Sequence, residues 1–362
     1  MCTIQNVHQT TAPQATTKAA PSLGITDFLK LAAEKVLGKM GRDDLVAKMK
    51  AGPPQVADAL KANDFSGVEW AFSSLNKDER LAKLEELRKQ DPTSYKALLQ
   101  DIREGKIKDS DVTIPAGIDR LRSTRWAASG EGKEITVQVI SQYKKPAQDP
   151  WAANSRIAVD NTDGQTAKTQ ADNPGPEAGR NGKPAETSIF LSPSLTGNPE
   201  LLAATLAHEG QHSLRNAKGS LKGELAEETD AYNNQSAVWK EFGAERLESS
   251  DPSTRQAAQE MDTDASHYHS DNHNEMTGYV AQIYAQGHIN FYNRPDGGKQ
   301  DLVAANQILN DYLLANQNSA GQLMQDTPSD SAAGIVRAAQ ELSQYSPDPE
   351  KYIKRFRGLA GR

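Results

Sequence analysis

The chain has 362 residues, with 41 Lys and Arg against 48 Asp and Glu, a net charge of −7. That length allows two or three domains of about 100–200 residues, and a mildly acidic chain is poorly matched to phosphate, so no nucleic-acid partner is expected. Cys2 is the sole cysteine, which excludes an intrachain disulfide, a four-cysteine zinc site and a cysteine-held iron–sulfur cluster. The most apolar stretch, Leu201 to Ala207, is interrupted by Thr205. It falls far short of the ~18–20 residues that span a bilayer, so no transmembrane segment is expected.

Residues 1–25 are rich in Thr, Gln, Ala and Pro and poor in large apolar groups. Such a segment buries too little surface to offset its ordering entropy, so a disordered leader is expected. It has no cationic start and no apolar stretch of the kind a Sec signal peptide needs. In composition it resembles the unstructured export signals of bacterial type III secreted effectors. Residues 26–128 read as a helical domain, either a docking module or a pro-region. Thr26 caps an apolar stripe running through Phe28, Leu29, Ala32, Val36 and Met40, and short helices are expected over Asp43–Lys50 and Gln55–Ala62. Asn76 precedes Leu81, Leu84 and Leu87, and Asp91-Pro92 opens a helix holding Tyr95, Leu98, Leu99 and Ile102.

The pattern changes near Gly130. From Glu134 to Tyr143, Ile135, Val137 and Val139 alternate with Thr136 and Gln138, which predicts a half-buried strand. Arg156 to Val159 and Thr187 to Leu191 predict two more strands. Between them, residues 160–186 are polar and hold Gly164, Pro174, Pro176, Gly179, Gly182 and Pro184, which predicts a long exposed loop, a candidate cleft rim.

Asn198-Pro199 then starts a helix reading PELLAATLAHEGQHSL. His208 and His212 lie four residues apart, one turn along a single face, so both imidazoles can reach one ion, and Glu209 projects beside them. Zinc accepts neutral imidazole nitrogen at about 2.0–2.1 Å. The helix is otherwise largely apolar, so a polar His-Glu-Gln-His run within it demands partners, and a metal supplies them. After a turn near 217–220, a second helix from Ser220 carries Glu224, Glu227 and Glu228. At 1.5 Å per residue, a hairpin of these helices brings residues 224–228 level with the two histidines. A carboxylate there completes a set of two His and one Glu.

His208-Glu-Gly-Gln-His212 followed by Glu228-Thr-Asp-Ala-Tyr232 resembles the gluzincins, the HExxH-plus-Glu class of zinc metallopeptidases. The resemblance implies an α+β, zincin-like catalytic domain over residues 129–298, built from a small sheet, the HExxH helix and the Glu helix, within a mostly helical chain. It implies one Zn²⁺ per chain held by His208, His212 and Glu228, with Glu227 and then Glu224 as alternative ligands. Glu209 would be the general base on metal-activated water and Tyr279 or Tyr232 the oxyanion donor, with His288 and Tyr292 further back. The Thr187–Leu191 strand would be the edge along which an extended substrate lies. The Glu-x-x-x-Asp pattern of the thermolysin group is absent, since Ala226 stands four before Asp230, so Asp230 is only a candidate partner of a ligating His. His267, His269 and His273 form either a second metal site or a solvated polar loop.

Residues 299–362 read as C-terminal helices, Asp301–Gln317, Ser331–Gln344 and Glu350–Leu359, packing on the catalytic domain. The expected activity is that of a zinc-dependent endopeptidase on a protein substrate, as a monomeric, secreted bacterial effector or toxin delivered into a host cell. The alternative is a helical protein-interaction effector in which HEGQH is structural.

Overall fold

The computed structural model describes residues 52–128, 130–146, 156–160, 167–171, 187–269, 274–295, 297–316, 329–356 and 359. The expected leader, the helices before residue 52 and His273 lie outside them. The described residues are mostly helical with one small sheet, a coarse α+β class. No helix among them is long and apolar enough to cross a membrane.

The first helices are α1 (Val56–Lys61), α2 (Phe65–Ser73), α3 (Lys77–Gln90), α4 (Pro92–Arg103) and α5 (Ser110–Arg122). Their starts follow local chemistry. Asn76 caps α3 in a reciprocal capping box with Glu79. Asp91 caps α4 ahead of Pro92. Their apolar faces form one core around Phe72, Leu84, Leu98 and Ile102.

Helix α6 (Gly130–Lys144) occupies the segment whose alternation predicts a strand. Its buried residues Ile135, Thr136, Val139, Gln142 and Tyr143 follow helical spacing, and Val137 is 60% exposed. Alternation and helical stripe share Ile135 and Val139, and among the apolar residues from 135 to 139 the two periods differ only at Val137. Packing against another helix, described below, decides for the helical one.

Three strands follow: β1 (Ile157–Val159), β2 (Ala167–Ala171) and β3 (Thr187–Leu191). They lie in the order β1-β3-β2, with β1 parallel and β2 antiparallel to β3. Two expectations are corrected here. The polar stretch 160–186 contains β2, whose sequence AKTQA has little strand propensity and is held by its ladder to β3. The Thr187–Leu191 strand is central, not an edge, because β2 covers the side it would have offered to a substrate.

Helix α7 (Pro199–Lys218) carries the HEGQH sequence. The Asn198 side chain accepts from the backbone of Glu200 and Leu201, and Gly219 ends the helix at φ 61°, in the left-handed region. Helix α8 (Glu224–Glu241) returns after Gly223, four residues later than Ser220. Then come α9 (Pro252–Ser266), α10 (Asn274–Tyr292), α11 (Lys299–Ala315), α12 (Ser329–Ser343) and α13 (Pro349–Lys354).

Helix α7 is the centre of the molecule. Its Leu201, Leu202, Leu206 and Ala207 share a core with Ile114, Ile118 and Leu121 of α5, Ile135 and Val139 of α6, Ile189 and Leu191 of β3, and Val238 and Trp239 of α8. Two glycines set the closest approaches. A Cβ on Gly117 would lie 2.5 Å from Leu202 Cγ, and one on Gly210 would lie 2.6 Å from Val139 Cγ2. Gly210, inside the HEGQH sequence, is therefore the place where α6 rests on α7. The other end is tied by charge. Glu200 is fully buried and accepts from Arg103 Nη2 at 2.8 Å and Nε at 3.1 Å, while Arg120 Nε lies 2.7 Å from it. A further core holds α10, α11 and α12 together around Tyr284, Leu309 and Ile335.

Candidate metal centre

His208 and His212 sit one turn apart on the same face of α7, ring centroids 5.0 Å apart. Glu228 comes from α8 directly opposite. Its Oε2 is 3.4 Å from His208 Nε2 and its Oε1 is 3.5 Å from His212 Nε2. One ligand atom from each of the three lies within 4.8 Å of the others, the only such group of three among the described residues. None of the three is more than 1% exposed.

The donor set fits a metal on two counts. Both nitrogens of each imidazole and Oε1 of Glu228 are buried without a hydrogen-bond partner. Each such orphan costs about 1–3 kcal/mol, and the Nε2 atoms and Oε1 converge where an ion would satisfy them together. Two neutral imidazoles and one carboxylate are also a zinc-type set. The electrostatics agree in direction. Burial alone would raise the Glu228 carboxyl, but the facing His212 and His208 hold it well below the usual carboxylate range. Burial alone would lower His212, but Glu228 and Glu227 hold it well above its usual value. Positive charge is favoured in this gap, whether from a proton or from a metal.

The surroundings of this group come from three elements. Tyr284 of α10, 4% exposed, donates to Glu228 Oε2 at 2.6 Å, which leaves Oε1 for the gap. Thr169 of β2 donates to Glu209 Oε2 at 2.7 Å and also contacts the Glu209 carbonyl oxygen at 3.1 Å. Glu227 Oε1 lies 3.6 Å from His212 Nδ1, on the side away from Glu228. Below the histidines, Ser213 bonds Thr187 of β3 at 2.6 Å and accepts from Gln142 and Gln138 of α6, tying sheet, α6 and α7 at one point.

Compared with protein-family models, with curated proteins and with solved structures, the chain matches none.

The remaining candidate residues lie apart from the three ligands or at their edge. Glu224 faces His288 at 3.0 Å, and Asp230 pairs with Lys222 and, at 3.5 Å, with Arg215, so neither lies with the histidines. Tyr232 presents its ring to His208, centroids 4.9 Å apart. The Tyr279 hydroxyl donates to Asp264 Oδ1 and its ring stacks on His267 at 4.1 Å. Tyr292 lies edge-on to Tyr345. His267 and His269 both pair with Glu275, at 3.4 and 2.7 Å. Tyr284 and Thr169 carry no signal in the sequence. A tyrosine one and a half turns beyond Tyr279 on the same helix offers no local signal, and Thr169 lies in a stretch that reads as loop.

Proposed function

We propose that the protein is a zinc-dependent endopeptidase. The observation that carries this reading is the buried convergence of His208, His212 and Glu228 beside Glu209, with each carboxylate already oriented by a hydroxyl. His208, His212 and Glu228 would hold the zinc, which would supply Lewis acidity toward a carbonyl oxygen and acidify water. Glu209 accepts the proton of the attacking water and passes it to the leaving amine. Thr169, bonded to Oε2, fixes the orientation of the Glu209 carboxylate for that transfer. Tyr232, against His208, is nearer the three ligands than Tyr279, whose hydroxyl is engaged by Asp264, and is the better placed of the two to donate to a developing oxyanion. The composition of residues 1–25 supports export and a protein substrate outside the producing cell.

One observation favours a second reading, a helical interaction protein with a structural metal. His208, Glu209, His212 and Glu228 are all 0–1% exposed, and closed sites are the structural type. The two readings separate on the Glu209→Gln protein. If the peptidase reading holds, wild type and variant both bind one zinc per chain, and cleavage of a casein or lysate substrate falls by about 10²–10⁴ in the variant. A zinc-loaded wild type that cleaves nothing in a lysate proteome, or a variant that cleaves at the wild-type rate, overturns it.

A further inference from the structure

A cavity of about 270 Å³ opens beside the three ligands, between α7, α8, α9 and α10. Its inner end is formed by buried Thr205 and Tyr232, the latter in contact with His208, and its outer end by exposed Glu260 and Thr263. Met261 and Ile283 supply apolar wall. Tyr232 and Tyr279, ring centroids 6.3 Å apart and nearly perpendicular, supply aromatic wall. The volume lies below the ~300–1,000 Å³ of pockets for drug-sized ligands and suits a single amino-acid side chain.

Its charge is one-sided. Asp264 and Glu260 both line it, and among the described residues no Lys or Arg lines it or pairs with either. Asp264 accepts from the Tyr279 hydroxyl on Oδ1 and from Gln235 Nε2, at 3.4 Å, on Oδ2. A carboxylate has about four acceptor positions, so capacity remains on both oxygens. Burial pushes the Asp264 carboxyl up, and the Tyr279 bond together with nearby positive charge, His208 included, offsets this only in part. A cation beside it would remove that cost, and aromatic walls add cation–π attraction.

We propose that this cavity receives a basic side chain of the polypeptide bound at His208, His212 and Glu228, its cationic end seated at Asp264 between Tyr232 and Tyr279. The assignment to a substrate rests on the peptidase reading; the cation preference of the cavity does not. An aliphatic stem would lie along Met261 and Ile283. An acidic side chain would be repelled, and a neutral one would leave Asp264 uncompensated.

The test titrates the full-length, zinc-free protein with Nα-acetyl-lysine methylamide and with its uncharged counterpart, Nα-acetyl-norleucine methylamide, followed by amide chemical-shift changes. The lysine probe is expected to bind at least tenfold more tightly, with shifts clustered on α9 and α10. Asp264→Asn should reduce the ratio to below about threefold while norleucine binding is unchanged, and Glu260→Gln, at the exposed mouth, should reduce it by a smaller factor. Equal affinities in wild type, no binding of the lysine probe, or an undiminished lysine preference in Asp264→Asn overturns the proposal. The wild-type comparison decides even if Asp264→Asn does not fold. Zinc stoichiometry, measured on a second aliquot of the same protein after Zn²⁺ is added back and the excess removed, keeps the two claims apart. Zinc without a lysine preference removes the pocket assignment alone, and a lysine preference without zinc removes the peptidase alone.

Discussion

At Glu228 the two carboxylate oxygens have different partners. Oε2 is held by Tyr284, and Oε1 faces His212 without a hydrogen bond. Tyr284 is thus a positioning residue for a candidate metal ligand, and such partners are commonly worth 10–100-fold in affinity. Tyr284→Phe is expected to weaken zinc binding by that factor in chelator competition, and Glu228→Ala to abolish stoichiometric zinc. Thr169 stands in the same relation to Glu209. Thr169→Val is expected to leave zinc stoichiometry intact and to slow cleavage about tenfold, within the same range. His288 behaves differently, since its partners are not ligands. Burial lowers its imidazole, but Glu224, at 3.0 Å, and Asp301 outweigh it, and the net direction is up. The stabilisation from this group is therefore complete below the unfolded value of about 6.5 and is lost as pH rises through the higher folded value. Melting temperature should fall as pH rises above about 6.5, and His288→Gln should flatten that decline.

Among the elements, α6 shows how packing overrides pattern. Ile135 and Val139 straddle Gly210, and a Cβ there would meet Val139 Cγ2 at 2.6 Å and Ile135 Cγ2 at 2.7 Å. Both are branch methyls close to a helical backbone, with little freedom to move. Gly210→Ala gains about 1 kcal/mol of helix propensity but incurs an overpacking cost of about 1–3 kcal/mol. A net loss in urea unfolding is expected, with part of it recovered when Val139→Ala is added, since the two sites are in contact. The same helix explains the misleading alternation, because Val137 contributes to the pattern but faces solvent. Strand β2 is the converse case, a polar segment that pairs with β3 and delivers Thr169 to Glu209.

Across the whole molecule, the early helices and the hairpin of α7 and α8 are joined through Glu200. Arg103 of α4 and Arg120 of α5 both reach this fully buried carboxylate, with Glu245 and Glu248 at the exposed edge. Removing one member of a buried charge network strands the rest and typically costs about 3–5 kcal/mol. Glu200→Ala is expected to lower stability by that amount in urea unfolding, as one transition if α4, α5 and α7 unfold together. A biphasic curve would show instead that the early helices form an independent unit. Gly117, which admits Leu202, makes the same connection sterically.

Local rules were enough for the parts of this protein set within a turn or two of chain. The one-turn spacing of His208 and His212, the Asn198 cap, the stop at Gly219 and the level of residues 224–228 opposite the histidines follow from helix geometry and short-range hydrogen bonding, and the Thr187–Leu191 strand from its local residue pattern. Tertiary contact decided the rest. It made 130–144 a helix, placed β3 between two neighbours, paired Tyr284 with Glu228 across 56 residues and Thr169 with Glu209 across 40, and sent Glu224 and Asp230 to other partners. These outcomes depend on which surfaces meet, and a periodicity shared by helix and strand, or a polar residue far away in sequence, carries no signal of that meeting until the chain has folded.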